Sequence, residues 1–518
     1  MSRVLLIHPP VSKPGEPPLG LARLKSHLAS MKISCDIIDS NLEGLYFLLN
    51  QPVDARDKWT MEASGQADRH VQAIKDGDAF QSIDHYNRIV RDLGRVLWYH
   101  GKKTGYQLGL ADVGHDILST ARSQDLLHCA EHPETNPYYA YYEKNLSLQI
   151  EKSNPEIIGI SIQFLSQALC AFSLIGLIRK RMSQVKLIIG GGLVTSWMQL
   201  SSWQGPFSGL VDACVSGPGE SFFEDYFHQE SIQNEFAAPD FTSFQIEKYF
   251  SPGFVLPYNT STGCYWRKCR FCPECAEDNT YHPINQKHVF QDLEHLSQNQ
   301  NPSLIHFLDN ALSPSFLKKL VEFPLFKQPP WYGAPWYGYV RFHKDLVDPE
   351  FCHALKASGC AMLKLGLESG DQTVLDAMEK GIELEMVSTI FRNLKEAGIN
   401  TFVYLLFGTP YESKEQAQKT MDFTVAHADF IGFINPAIFN MPIESPETGH
   451  YLTRPFSDGD LSLYVDFDHP TGWDRLKIRH FLDRKFKRHE MVAQILRRTP
   501  RVFTSNHAAF FTIGFQGL

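Results

Sequence analysis

The sequence lacks the features that mark a secreted, membrane-bound or nucleic-acid-binding protein. Its 49 basic residues are outnumbered by 58 acidic ones, and the formal charge of −9 argues against a general nucleic-acid binder. Four of its ten cysteines are packed between Cys264 and Cys275, unlike the spread-out disulfide framework of a small secreted domain. The apolar run at residues 4–7 is too short for a signal peptide. We therefore expect a reducing, cytoplasmic location and no nucleic-acid partner.

One uncharged stretch, residues 157–178, covers 22 positions and is long enough on paper to span a bilayer. It contains Ser161, Gln163, Ser166 and Gln167, however, and it separates into a β-rich run followed by the start of a helix. A buried strand and its crossover helix account for this composition better than a membrane span does. We therefore predict no transmembrane segment.

The N-terminal half alternates between short apolar strands and helices. The predicted strands lie at residues 4–7, 35–39, 157–162, 185–189 and 211–215. This alternation predicts a doubly wound, Rossmann-like parallel sheet, in which ligands bind at the carboxyl ends of the strands. Residues 41–150 interrupt the pattern with charged, histidine-rich and tyrosine-rich sequence and predict a helical insertion. We place this domain at residues 1–235.

A second alternation of strands and helices occupies residues 250–445. Its predicted strands lie at residues 255–260, 304–308, 336–340, 362–365, 401–407 and 431–434, and polar residues or glycines follow most of them. This pattern predicts a partial (β/α)6 barrel with its chemistry at the carboxyl ends of the strands. Beyond it, residues 446–518 predict a C-terminal helical extension, so the fold class is α/β throughout.

Three cysteines are spaced C-x4-C-x2-C in one short loop, at Cys264, Cys269 and Cys272. Thiolates at this spacing can surround one inorganic centre, and soft sulfur ligands favour iron-sulfur clusters or zinc. Three thiolates leave one iron of a [4Fe-4S] cluster open to a small molecule, whereas a structural zinc site is normally closed by four ligands. Cys275 leaves that alternative open, because four cysteines could close a zinc site.

This loop resembles the cluster loop of radical S-adenosylmethionine (SAM) enzymes. The resemblance rests on Gly263-Cys264, the spacing to Cys269, and the aromatic residue in Cys269-Arg270-Phe271-Cys272; the chain has one residue more than the common C-x3-C-x-aromatic-C form. It implies that Cys264, Cys269 and Cys272 hold a [4Fe-4S] cluster and that SAM chelates the fourth iron. Phe271 would shelter the adenine.

The same resemblance gives expected roles to polar residues and a glycine at the ends of later barrel strands. Asp309 and Asn310 would lie near the amino group of SAM, Arg341 near its carboxylate, Glu368 and Ser369 near its ribose, and Gly408 near its adenine. Asp309 and Glu368 also have a plain alternative role, because each could instead cap the helix that follows it.

The N-terminal half resembles the cobalamin-binding domain of cobalamin-dependent radical SAM enzymes. The resemblance rests on Pro17-Pro18-Leu19-Gly20, on the cofactor-binding candidates Gly190, Gly191 and Gly192, and on Gly217 and Gly219. The sequence contains no D-x-H-x-x-G motif, so we expect no histidine ligand below the cobalt. The alternative is a Rossmann-like domain that no longer binds a cofactor, since glycine turns also serve plain strand-to-helix connections.

Together these resemblances imply a cobalamin-dependent radical SAM methyltransferase that methylates an unactivated carbon. A flavodoxin or ferredoxin would supply electrons, and the substrate would be a small molecule, a lipid or a peptide. One alternative is radical cyclisation or rearrangement without methyl transfer, and another is a non-catalytic cobalamin or redox sensor. A transfer-RNA methylthiolation enzyme needs a second cysteine-bound cluster, but only Cys35 and Cys129 precede Ser161.

Overall fold

The computed structural model describes residues 3–228, 238–323, 334–501 and 507–513. The chain divides into two compact units, the first comprising Met1–Ala79, Asp84–Phe254 and Ser457–Leu463, and the second Phe80–Ile83, Val255–Phe456 and Tyr464–Leu518. The predicted domain boundary at residue 235 lies outside the described residues. The separate C-terminal extension stays a prediction, because residues 464–518 group with the second unit.

The first unit combines a parallel sheet with many helices. Its strands are β1 (Val4–His8), β2 (Cys35–Asp39), β3 (Tyr106–Leu108), β4 (Val113–His115), β5 (Ile157–Ser161), β6 (Lys186–Gly190) and β7 (Ala213–Cys214). Its α-helices are α1 (Leu19–Ser30), α2 (Ser40–Leu49), α3 (Lys58–Gly65), α4 (Ala67–Lys75), α5 (Ile83–Gly101), α6 (Ser123–Glu131), α7 (Tyr139–Tyr141), α8 (Ser147–Ser153), α9 (Leu165–Arg181), α10 (Gly192–Gln199) and α11 (Gly219–Phe227).

Five of these strands form one sheet in the order β2-β1-β5-β6-β7, and all neighbours are parallel. The central strands β1 and β5 are almost continuously apolar and buried, as strands covered on both faces must be. Gly159 in β5 leaves room for the Leu6 side chain of β1, whose terminal methyl would lie 2.8 Å from a Cβ at this position. The predicted doubly wound sheet is confirmed, and its carboxyl edge follows His8, Ser161, Gly190 and Cys214.

The predicted insertion between β2 and β5 is mainly helical, but it also contains a feature that the sequence pattern did not indicate. Strands β3 and β4 form a two-stranded antiparallel hairpin, with Tyr106 opposite His115. The tyrosines Tyr138, Tyr141 and Tyr142 are buried and pack against one another, so they form part of the core of this unit.

The uncharged stretch at residues 157–178 folds as β5 followed by most of α9. Among the described residues, no helix is both long and apolar enough to cross a membrane.

The second unit is built on a longer strand-helix alternation. Its strands are β8 (Val255–Tyr258), β9 (Ser261–Thr262), β10 (His282–Pro283), β11 (Leu304–Phe307), β12 (Trp336–Val340), β13 (Cys360–Glu368), β14 (Asn400–Phe407), β15 (Phe433–Ile438), β16 (Met441–Pro442), β17 (Thr453–Pro455) and β18 (Tyr464–Phe467). Its helices are α12 (Pro273–Ala276), α13 (Gln286–Gln300), α14 (Pro314–Glu322), α15 (Pro349–Ala357), α16 (Gln372–Ala377), α17 (Leu384–Glu396), α18 (Lys414–Ala426), α19 (Arg475–Arg484), α20 (Glu490–Arg498) and α21 (Ala509–Thr512).

Six parallel strands of this unit pair in sequential order, β15-β14-β13-β12-β11-β8. A parallel sheet whose strands follow one another in chain order, with helices between them, is the arrangement of an incomplete β/α barrel. All six strand positions predicted from the sequence are occupied by these strands. Their carboxyl ends meet at one edge of the sheet, which is where the predicted site residues lie.

The region after residue 446 contains helices α19, α20 and α21, as predicted, but it also contains β-structure. Strand β18 pairs with both β16 and β17 and forms the middle of a three-stranded antiparallel sheet. The strands are too short to show a period of two in the sequence, so the pattern there could not indicate them.

Candidate functional site

The cysteine loop begins at the carboxyl end of β8, where hydrogen bonds to the buried carboxylate of Asp309 position the residues that lead into it. Asp309, just after β11, is 1% exposed and accepts hydrogen bonds from the backbone N–H of Thr260 at 2.9 Å, from Thr260 Oγ1 at 2.7 Å and from Ser261 Oγ at 2.6 Å. Burial raises the pKa of Asp309, and these donors act in the opposite direction. Asp309 therefore links the ends of two neighbouring strands, and its predicted contact with SAM stays a prediction.

Gly263 allows the chain to enter the loop between β9 and β10. It has φ of 69°, and a Cβ there would lie 2.4 Å from the carbonyl oxygen of Thr280 on the returning segment. Only glycine avoids both the unfavourable dihedral and the contact with backbone. The glycine beside the first cysteine of the motif thus closes the base of the loop.

The three cysteines predicted to hold a cluster lie in this loop and form no disulfide. Cys269 is buried, while Cys264 and Cys272 are half-buried. Burial raises the pKa of the Cys269 thiol, whereas the charges of Lys380 and Arg341 lower it. Free, clustered thiols with positive charges beside them fit an anionic iron-sulfur cluster.

Arg341, at the end of β12, is positioned against the loop by three contacts. Its Nη1 donates to Cys269 Sγ at 3.5 Å, its Nη2 donates to the carbonyl oxygen of Lys380, and its guanidinium lies 4.4 Å from the centre of the Trp266 ring. The structure thus brings Arg341 to a cysteine, and its predicted contact with the carboxylate of SAM stays a prediction. The sequence analysis missed Trp266, although its place inside the cysteine motif was a usable signal.

Trp266 also fills the space beside Gly381. Its indole N–H donates to the carbonyl oxygen of Glu379 at 3.0 Å, and a Cβ on Gly381, which has φ of 67°, would lie 2.1 Å from the ring. Trp266 therefore ties the cysteine loop to the segment that carries Lys380.

Glu368, at the end of β13, forms a largely buried ion pair with Lys380 at 2.8 Å. It has φ of 65°, a left-handed conformation that non-glycine residues seldom adopt, at an irregularity in the pairing of β13 with β14. The same ammonium lies 5.4 Å from the centre of the Phe271 ring. Two predicted residues, Glu368 and Phe271, are thus brought together by Lys380, for which the sequence carried no signal.

Two other predicted residues have partners within the protein. Ser369 is fully buried, and its hydroxyl lies 3.1 Å from Thr420 Oγ1 and accepts from the backbone N–H of Asp371. The side chain of Asn310 is hydrogen-bonded to Glu274 in α12. Their predicted contacts with SAM stay predictions.

Gly408 follows β14 with φ of 83°, and a Cβ there would lie 2.3 Å from Ile478 of α19. Gly408 therefore packs directly against the side chain of Ile478. The backbone N–H of Gly408 donates to Glu412 Oε2 at 2.6 Å, and Trp473 Nε1 donates to the same oxygen at 3.1 Å. Burial raises the pKa of Glu412 to about 7. The sequence analysis missed Glu412, which holds the Gly408 turn in place.

In the first unit, the triple glycine lies at the carboxyl edge of the sheet, as predicted. Gly190 ends β6 and Gly192 begins α10. Gly191 has φ of 102°, and a Cβ there would lie 2.6 Å from the carbonyl oxygen of Ile162. The N–H of Gly192 donates to Gln163 Oε1 at 3.0 Å, so part of the turn is held by a side chain that follows β5.

Gly217 and Gly219 lie in the turn that follows β7. Gly217 is exposed with φ of 72° and donates its N–H to Thr195 Oγ1 at 2.9 Å, while Gly219 begins α11 against Leu24. His8, the last residue of β1, is enclosed: its Nε2 lies 2.7 Å from Ser12 Oγ, and burial lowers its pKa. These turns leave backbone at the edge where a doubly wound sheet binds its ligand, and His8 is not exposed toward it.

The class of protein follows from this combination of fold and site. Residues 258–424 match the model of the Radical SAM superfamily, and this range runs from the end of β8 through the cysteine loop to α18. The second unit therefore contains a radical SAM domain. Such a domain uses SAM and a [4Fe-4S] cluster, which the free thiols of the loop fit.

Comparisons with individual proteins extend beyond this domain. The chain is 22% identical over 384 residues to an uncharacterized methyltransferase of Pyrococcus horikoshii, covering 67% of this chain and 78% of the relative. Its fold is similar to that of TsrM, a radical SAM methyltransferase of Kitasatospora setae solved with tryptophan substrate and a SAM analogue, with 16% identity, a TM-score of 0.50, and coverage of 91% of this chain and 75% of TsrM.

A second similar fold is that of OxsB, a cobalamin-dependent SAM radical enzyme solved with aqua-cobalamin and SAM. The identity is 13%, the TM-score is 0.52, and the match covers 96% of this chain and 57% of OxsB. At these identities the matches show the fold, and they extend over both the doubly wound sheet and the incomplete barrel.

Proposed function

We propose that the protein is a cobalamin-dependent radical SAM methyltransferase that methylates an unactivated carbon of its substrate. The observation that carries the proposal is the pairing, in one chain, of a radical SAM domain with a five-stranded sheet of order β2-β1-β5-β6-β7. Two solved proteins of similar fold are a radical SAM methyltransferase and a cobalamin-dependent radical enzyme, and the curated relative is described as a methyltransferase.

In the second unit, Cys264, Cys269 and Cys272 would hold the [4Fe-4S] cluster. With SAM bound, the cluster supplies reductive cleavage of SAM for hydrogen abstraction, using one electron from a flavodoxin or ferredoxin in the proposed reaction. Arg341 donates to Cys269 and brings positive charge to the loop. Lys380, paired with Glu368, lies over Phe271, so these three side chains would shape the wall beside the adenine.

In the first unit, the turns at Gly190–Gly192 and Gly217–Gly219 would hold the cobalamin, which supplies a carrier for the methyl group. Parallel strands that end in glycine turns present backbone N–H groups and leave room for a large ligand. The enclosed position of His8 supports cobalamin binding without a histidine ligand from β1. The ten cysteines are all free, which fits a reducing, cytoplasmic location for the proposed enzyme.

The proposal is tested with anaerobically reconstituted enzyme, hydroxocobalamin, a one-electron reductant and SAM carrying a trideuterated methyl group. We expect formation of 5'-deoxyadenosine, near-stoichiometric cobalamin in the purified protein and transfer of the deuterated methyl group to carbon in the substrate. Candidate substrates are screened by transfer of deuterium from the substrate into 5'-deoxyadenosine. If deoxyadenosine forms and the product is rearranged but not methylated, the reaction is a radical rearrangement and not a methyl transfer. A protein that binds zinc in place of iron would overturn the proposal.

A further inference from the structure

Cys275 adds a fourth thiol to the cysteine loop. Helix α12 spans Pro273–Ala276, and Cys272 caps its N-terminus. The N–H of Cys275 donates to the carbonyl oxygen of Cys272 at 3.1 Å, and this turn brings the two side chains to the same side of the backbone. The sulfur of Cys275 therefore adjoins that of a proposed cluster ligand.

The other two proposed ligands are also close to Cys275. Cys264 and Cys269 lie in the same loop, between β9 and α12, and their charges as thiolates would act on the Cys275 thiol. Cys275 is only half-buried, in a helix of four residues that is followed by a left-handed turn at Asp278 with φ of 49°. A thiol on so short an element can shift by a fraction of a turn without disturbing the packed strands of the barrel.

We propose that Cys275 is a displaceable fourth ligand of the cluster, binding the open iron when SAM is absent and leaving it when SAM binds. This inference rests on the proposed radical SAM function. When Cys275 binds iron, its thiol proton passes to solvent; when the amino and carboxylate groups of SAM take the iron, the thiolate regains a proton, and no iron changes oxidation state. Displacement is favourable because SAM chelates with two atoms, whereas Cys275 offers one.

Closure of the fourth position has a chemical consequence for the resting enzyme. An iron held by three inorganic sulfides and no protein sulfur is the one that a cluster loses most readily on oxidation, leaving a [3Fe-4S] cluster. A protein thiolate on that iron retains it. Cys275 would thus protect the cluster in the interval between turnovers, when no SAM is bound.

The first experiment measures iron loss in the absence of SAM. Wild-type protein, Cys275→Ala and Cys275→Ser are reconstituted anaerobically, treated with stoichiometric ferricyanide, and examined by electron paramagnetic resonance and iron analysis. We expect both variants to lose one iron per cluster and to give the [3Fe-4S] signal, while wild-type protein retains its iron. Added SAM should protect all three proteins equally. The matched control is Cys35→Ala, which removes another partly exposed free thiol, in the first unit.

The second experiment measures SAM affinity. If SAM must displace Cys275, its apparent affinity is reduced in proportion to the fraction of molecules whose fourth iron is open. Cys275→Ala should therefore bind SAM more tightly than wild-type protein, and Mössbauer spectra of wild-type protein enriched in ⁵⁷Fe should show one iron changing its environment when SAM is added.

Three outcomes would overturn the proposal. Equal iron loss from wild-type protein and Cys275→Ala would show that Cys275 does not bind the fourth iron. If both proteins still cleave SAM, the proposed function is unaffected by that result. Complete cluster loss from Cys275→Ala, as expected for Cys264→Ala, would make Cys275 a permanent ligand. A wild-type protein that assembles no iron-sulfur cluster would overturn the proposed function and this inference together.

Discussion

The ammonium group of Lys380 lies 2.8 Å from the carboxylate of Glu368, and only 7% and 12% of the two side chains are exposed. The pair connects the end of β13 to the segment between α16 and α17, and it places a positive charge over the Phe271 ring. Two charges that are buried together stabilise each other, but each becomes costly when its partner is removed.

Substitution of Lys380 should therefore destabilise the folded protein. We expect Lys380→Met to lower the free energy of unfolding by roughly 3 kcal/mol, because it leaves the Glu368 carboxylate buried without its partner. Adding Glu368→Gln should recover part of this loss, which urea unfolding of the cluster-free protein followed by circular dichroism will measure. The control is Lys319→Met, which breaks an exposed ion pair with Glu322 and should cost less than about 1 kcal/mol. Additive effects of the two substitutions at 368 and 380 would show that the pair is not coupled.

Alanine at Cys264, Cys269 or Cys272 should prevent cluster assembly and abolish reductive SAM cleavage, because each substitution removes one of the three proposed permanent ligands. Iron and sulfide content, the absorption of the reconstituted protein and 5'-deoxyadenosine formation are the measurements. Cys275→Ala and Cys35→Ala should retain both the cluster and cleavage. A cluster that survives loss of Cys264 would show that the permanent ligand set is a different one.

Arg341 should raise the reduction potential of the cluster. Its guanidinium donates to Cys269 Sγ at 3.5 Å, and a reduced cluster, being more negative, gains more from this donor and its charge than an oxidised one does. Arg341→Met should lower the potential measured by a redox titration followed by electron paramagnetic resonance, and Arg341→Lys should retain part of the effect. The control is Lys268→Met, which removes an exposed cation of the same loop that also contacts Trp266. An unchanged potential in Arg341→Met is the contradictory result.

Glu412 should make the fold less stable as the pH rises. Burial raises its pKa from about 4.5 to about 7, so the folded protein retains a proton that the unfolded chain has already lost. Stability should therefore fall between about pH 4.5 and pH 7, by at most roughly 3 kcal/mol from this group, and show no further contribution above that range.

Glu412→Gln should remove this decrease, because an amide still accepts from Gly408 and Trp473 but does not ionise. Thermal unfolding midpoints at intervals across the range give the comparison. Glu415→Gln, at an exposed position three residues further along the chain, is the control. A backbone hydrogen bond and one with Ser413 lower the pKa of Glu415, so its substitution should leave the decrease between about pH 4.5 and pH 7 unchanged. Identical profiles for wild-type protein and Glu412→Gln would contradict the prediction.

The two glycine turns of the first unit should respond differently to alanine. A Cβ on Gly191 would lie 2.6 Å from backbone, whereas Gly217 has nothing within 4 Å of the same atom, although both have positive φ. Gly217→Ala should therefore cost only about 1 kcal/mol of backbone strain. Gly191→Ala should also displace the turn and reduce cobalamin binding, measured by the cobalamin absorption that remains after gel filtration. Equal retention of cobalamin in both variants would remove Gly191 from the proposed site.

The sequence was most informative where one physical signal dominated. Buried parallel strands such as β1 and β5 are nearly continuous apolar runs, and six successive runs in the second half predicted the sequential sheet. The cysteine spacing indicated a metal-binding loop, and the resemblance to radical SAM enzymes indicated a [4Fe-4S] cluster in it. Strands β3, β4, β17 and β18 are short and partly exposed, so no periodicity could show them.

Predictions about partners of individual side chains were harder, because distant segments supply those partners. Nothing near Glu368 in the sequence indicates Lys380, and nothing near Gly408 indicates Ile478, since each pair meets only after the chain has folded. Trp266 and Glu412 lie next to recognised residues, and an analysis of packing around those motifs would have included them. Arg341 was placed correctly at a strand end, but its neighbour Cys269 depends on how the loop folds back.

The carboxylate of Asp309 accepts hydrogen bonds from Thr260 and Ser261, and these contacts are made by the polypeptide alone. The base of the cysteine loop is therefore held by contacts that do not include iron. We expect the protein to fold before a cluster is inserted, so that iron-starved cells would accumulate folded but inactive molecules.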